Sequence, residues 1–75
     1  MRLYYHAETD SAMLCFTDGP AAGNREIAEN AYTMHDADGE IIGIEVMGGA
    51  ADFFHLPHRD RSIDAELVFA KENSV

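Results

Sequence analysis

His6, Glu8 and Asp10 stand two residues apart near the start of the chain, and His35, Asp36 and Asp38 form a second group of similar chemistry. Imidazole and carboxylate together are the donor set of zinc and other first-row metals. Two hairpin loops at one end of an antiparallel sheet would let His6, Glu8, Asp10, His35 and Asp38 pool into one metal centre. Asp36-Ala37-Asp38-Gly39 is not a calcium loop, because an EF-hand continues to an acidic residue at its twelfth position. Histidine and aspartate are also ordinary turn residues, so the competing reading is that both groups simply close hairpins.

Other chemistry has less to build on. Cys15 lies between Leu14 and Phe16, where a thiol behaves as a small apolar side chain. A reactive thiol needs electropositive surroundings, and positive charge is scarce here. His55 and His58 flank Pro57, which keeps them from sharing a helical face. Gly48-Gly49 matches neither phosphate-binding fingerprint. Fourteen carboxylates are scattered without a defined acid–base pair. No catalytic set assembles, and no cofactor is implied.

The elements that must position these residues follow from alternation. Leu3-Tyr4-Tyr5 and Ala12–Phe16 form a hairpin across an acidic connection, with Ala12, Leu14 and Phe16 on one face and Met13 and Cys15 on the other. Asp18-Gly19-Pro20 ends the second strand. Arg25–Ala28 is a weak third strand, and Ala31–His35 is a fourth with Tyr32 and Met34 facing together. Asp36–Gly39 is the strongest turn, since aspartate caps turn amides and Gly39 accepts positive φ. It leads into the best strand, Ile41–Val46, with Ile42, Ile44 and Val46 on one face and Ile41, Gly43 and Glu45 on the other. Ala50, Phe53 and Phe54 then fall on one stripe of a short helix that Pro57 stops. So short a helix is unstable alone, and its phenylalanines must pack on the sheet. Ser62 to Lys71 reads either way. Ile63, Ala65, Leu67 and Phe69 alternate as in a strand, whereas Ser62, Asp64, Glu66 and Lys71 are placed as in a capped helix. The expected fold is α+β: an antiparallel β-meander of four to five strands, one short helix, and a final strand or helix.

Seventy-five residues make one domain, residues 1–75, with a small core. A lone cysteine excludes an internal disulfide and fits a reducing compartment, leaving association, a metal or a lean core as reinforcement. No apolar run approaches the about 20 residues of a membrane span, and no signal peptide is visible. A cytoplasmic protein is expected. Net charge is −9, which argues against nucleic acid and anionic membrane as partners. It permits attraction to a basic protein.

Tyr5-x-x-Glu8-x-Asp10-x-x-Met13-Leu14, followed by Asp36-x-Asp38-Gly39-x-Ile41-Ile42-Gly43-Ile44-Glu45-Val46, resembles the YuzE-like family of small bacterial proteins, a domain of unknown function. The resemblance covers about residues 3 to 55, leaving a C-terminal extension over 57–75. It implies a compact α+β fold and no particular activity. His6-Ala7 stands where the family commonly has Asp-Pro, and Gly48-Gly49 where a polar helix start is usual. Glu8 and Asp10 have a reading as loop caps, and Gly43 as room for an approaching ring or backbone. Glu45 is the residue least explained by folding, because a buried carboxylate needs a partner. The function expected is a non-enzymatic interaction or regulatory module that self-associates as a homodimer. In an antitoxin-like version its acidic surface covers a basic protein. A metal-binding protein is the alternative.

Overall fold

A computed structural model of the chain describes residues 1–57 and 59–67. Six strands form one antiparallel sheet: β1 (Arg2–His6), β2 (Ser11–Cys15), β3 (Gly23–Ala28), β4 (Ala31–His35), β5 (Ile41–Val46) and β6 (Ile63–Glu66). A short helix, α1 (Ala50–Phe53), lies between β5 and β6. The boundaries of β4 and β5 coincide with those expected from alternation.

The strand order, β3-β4-β5-β2-β1-β6, is not a simple meander. β2 neighbours β5 rather than β3, a Greek-key arrangement. The reason lies in what each strand can bury. Ala12 and Leu14 of β2 sit opposite Val46 and Ile44 of β5, giving both strands an apolar partner. β3 is exposed at all six positions, and a strand with nothing to bury belongs at an edge. Residues 16–22 therefore cross from β2 to β3 past two intervening strands, about 14 Å at the usual strand spacing.

The register sets out two rows on one face of the sheet. Ile63, Tyr5, Ala12, Val46 and Ala31 form the first; Ala65, Leu3, Leu14, Ile44 and Thr33 form the second. The core lies here, with Ala50 and Ala51 of α1 packed into it. The stripe expected for the helix is corrected in one respect. Ala51 is buried beside Ala50, whereas Phe53 is 45% exposed and stands edge-on to Phe54 at 5.1 Å. Four residues make barely one turn, so only the two alanines can face the sheet closely.

The final segment is a strand over Ile63–Glu66, antiparallel to β1, and the helical alternative is set aside there. Ile63 and Ala65 face the core, while Asp64 and Glu66 meet Arg2 on the opposite face. The Arg2 guanidinium lies 2.9 Å from Asp64 and 3.2 Å from Glu66, and the N-terminal ammonium 2.9 Å from Glu66. Such exposed pairs stabilise little individually, but they favour this register over a slip. Positions 68 to 71 of that segment, and His58, lie outside the described residues.

Gly43 is buried in β5, opposite Cys15 and Met34. A Cβ there would come 2.7 Å from the Leu14 carbonyl oxygen and collide with Met34 Cε. The approach comes from backbone and a methionine, not from an aromatic ring. Gly43→Ala is expected to cost about 1–3 kcal/mol, measured by urea unfolding. Shortening Met34 in the same chain should restore only part, because the carbonyl cannot move aside.

Candidate interaction face

The upper end of the sheet is held by one carboxylate. Asp10 adopts a left-handed conformation, φ 51°, which aspartate tolerates better than most residues. This turns its Oδ1 towards α1, where it accepts a hydrogen bond from the Ala51 amide at 3.0 Å and another from the Tyr5 hydroxyl at 3.0 Å. Its carbonyl accepts from the Ala50 amide, also at 3.0 Å. Gly49, at the helix start, supplies no side-chain cap, so Asp10 caps the helix from forty residues away in sequence. The Ala51 amide, and then the Tyr5 hydroxyl, hold the Asp10 carboxyl below its ordinary range. Burial, and then the same hydrogen bond, push the Tyr5 hydroxyl up.

The two polar groups of the sequence are not brought together. β1 and β5 run upward and β4 downward, so the loop holding Glu8 and Asp10 closes the upper end and the Asp36–Gly39 turn the lower. His6 ends β1 on the face away from the helix, and Glu8 is exposed in its turn. His35 Nδ1–H donates to the Gly39 carbonyl at 3.2 Å, and its Nε2 lies in hydrogen-bond contact with the Thr33 hydroxyl at 2.8 Å. Asp36 Oδ1 accepts from the amides of Asp38 and Glu40 at 2.9 and 3.0 Å. This closes the turn that Gly39 completes at φ 85°. Asp38 is exposed. Among the described residues no group of three or more His, Cys, Asp or Glu could hold a metal ion. The pooled centre of His6, Glu8, Asp10, His35 and Asp38 is thus not formed, because the loops occupy opposite ends. Burial, and then Asp18, raise the Cys15 thiol above its ordinary range, away from a reactive thiolate.

What the structure does assemble lies on the face opposite α1. Its central row runs Asp64, Tyr4, Met13, Glu45, Tyr32 and Glu26 across all six strands. Cross-strand neighbours share a face, so these side chains stand side by side. The next row includes Arg2, Cys15, Gly43 and Met34. No element among the described residues lies on this face. Tyr4 is 38% exposed and Met47 57%. At its upper half, Tyr4, His6, Met13, Glu45, Met47 and Asp64 line an open cleft of about 490 Å³. Alternation alone places Glu45 and Gly43 away from the core; only the β2–β5 pairing places Met13 beside Glu45.

A single antiparallel sheet with one face covered by a helix and one face open among the described residues makes a small β-rich α+β domain. The chain belongs to the family described as "Protein of unknown function (DUF2283)", whose profile matches residues 2–48. That match covers β1 to β5 and stops before α1. No curated protein and no solved structure matches the chain. No helix among the described residues is long and apolar enough to cross a membrane.

Acid stability follows from the carboxylates. Asp10 and Glu66 are both held below their ordinary ranges, Glu66 chiefly by the N-terminal ammonium. Their contributions are present above the unfolded values of 3.8 and 4.5 and are lost as pH falls through the lower folded ones. Asp10→Ala should lower the neutral-pH Tm by several degrees and flatten the acid limb of Tm against pH. Asp10→Asn, which still accepts both hydrogen bonds, should retain more of the neutral-pH Tm. Thermal melts from pH 2 to 7 check both.

Proposed function

We propose that this chain is a non-enzymatic protein-interaction module whose open sheet face docks a basic protein partner. The observation that supports this reading is the uncovered row Tyr4, Met13, Glu45 and Tyr32. A sheet ordinarily buries apolar side chains by packing against a second layer. Among the described residues α1 offers such a layer on one side only, and the principal dimensions, 37 × 36 × 19 Å, describe a thin plate. A face of that breadth exceeds the about 800 Å² per partner of a standard stable interface. The net charge of −9 selects the sign of the partner. An antitoxin-like pairing with a basic protein is one form of this reading.

Affinity enrichment from the native host, with the wild type and Met13→Lys compared, tests it. A basic protein should be recovered with the wild type and lost with the variant, whose circular dichroism stays unchanged. Equal recovery with both would refute docking on this face.

Self-association is a second reading, favoured by a different surface. β3 is an edge strand exposed along its whole length, with Ile27 51% exposed, and such edges pair readily with another strand. At the opposite edge, Asp64 and Glu66 of two β6 strands would repel. Pairing through β3 alone would therefore close as a two-fold dimer and not extend into a filament. Sedimentation velocity should find a dimer that Ile27→Lys weakens; a monomer at every concentration would end this reading.

A further inference from the structure

Glu45 sits half-buried in the middle of the open face, between Met13 of β2 and Tyr32 of β4. Its carboxylate makes no hydrogen bond or ion pair with any described residue, and the described arginines are largely engaged elsewhere. Arg2 is held by Asp64 and Glu66, the N-terminus by Glu66, Arg59 by Asp52 at 2.8 Å, and Arg61 is 4.0 Å from Asp60. Arg25 pairs in register with Thr33 and so belongs to the opposite face. A second copy of the chain offers Arg2, Arg59 and Arg61 in the same engagements, and exposed Arg25 as its described arginine without a carboxylate partner. A carboxylate flanked by a thioether and a phenol, then covered by a partner, would be costly to bury unless a cation came with the cover.

We propose that the cleft lined by Tyr4, Met13, Glu45 and Met47 receives an arginine or lysine side chain of a foreign protein, its charge on Glu45 and its stem on the apolar wall. This rests on the reading of the open face as a docking surface and names what that surface recognises. The cleft, about 490 Å³, has room for one long side chain and its neighbours. Long basic side chains suit such a site because the methylene stem buries against apolar surface while the head meets a carboxylate. The chain already makes this arrangement at the next strand. The Arg2 guanidinium lies 5.9 Å from the centre of the Tyr4 ring while bound to Asp64. The cleft would repeat that pairing with an incoming cation, on the neighbouring carboxylate of the same row.

The test uses two short peptides, one alternating leucine with arginine and one with citrulline, which is uncharged, in place of arginine. Amide shifts of the isotope-labelled protein locate binding and give Kd. The arginine peptide should shift Tyr4, Met13, Glu45 and Met47 and weaken as salt rises. Glu45→Gln should weaken it about tenfold or more, Glu45→Asp should retain part of the affinity, and Glu40→Gln, at the lower turn, should leave it unchanged. The same spectra verify folding of each variant. Equal binding of the two peptides on this face, or no loss in Glu45→Gln, would overturn the role of Glu45 while leaving the face a docking surface. Absence of shifts on the face with either peptide would overturn both.

Discussion

The junction of Asp10 with Tyr5 and the start of α1 is the constraint from which the asymmetry of the molecule follows. One oxygen atom accepts from a strand hydroxyl and a helix amide, and the carbonyl of the same residue accepts from the preceding amide. A helix of four residues cannot persist on its own hydrogen bonds. It is retained because its first amides are satisfied from the β1–β2 turn while Ala50 and Ala51 press against Ala12, Val46 and Tyr5. Nearby, Asn30 adopts φ 64° and its carbonyl accepts from the Met47 amide at 2.7 Å. Left-handed aspartate and asparagine thus tie the turns to the chain leaving β5.

With the helix fixed on one side, the opposite side is left without a second layer among the described residues. Two requirements then act on one sheet. The covered face is lined by small and aliphatic residues, and Ala12, Ala31, Ala50 and Ala51 allow close approach. The open face mixes phenols, thioethers and carboxylates, which remain tolerable in water yet leave apolar area to be covered. Gly43 belongs to the same economy of space, since Met34 folds over it and closes a gap that any larger residue would fill. A carboxylate without a counter-ion is stable while water reaches it, and becomes selective for a cation once water is excluded.

Much of the fold was legible from local pattern. The strict alternation of Ile42, Ile44 and Val46 marks β5, and Asp36 with Gly39 marks its turn, because capping and positive φ are properties of a few residues in sequence. The polar run of β3 was weakly legible and did not disclose that it forms an edge. The metal expectation failed for a related reason. His6, Glu8, Asp10, His35 and Asp38 are the right donor types, but local spacing carries no information on which loops share an end of the sheet. Asp10 was readable as a loop residue; that its carboxylate caps a helix forty residues later was not. The short helix was visible as a stripe, though its single turn buries Ala51 in place of Phe53.

The sequence by itself determined the period-two strands, the turns, the net charge of −9 and the family signature within residues 2–48. Each of these is written in neighbouring residues or in composition. Tertiary structure alone decided the strand order, and with it every cross-strand neighbour. By setting β2 against β5 it placed Met13 beside Glu45, and by setting β6 against β1 it committed Arg2 to Asp64 and Glu66. Strand pairing joins residues tens of positions apart through backbone hydrogen bonds that any sequence can make. The choice among pairings therefore rests on which apolar faces can be buried together, a property of the whole sheet and of no single segment.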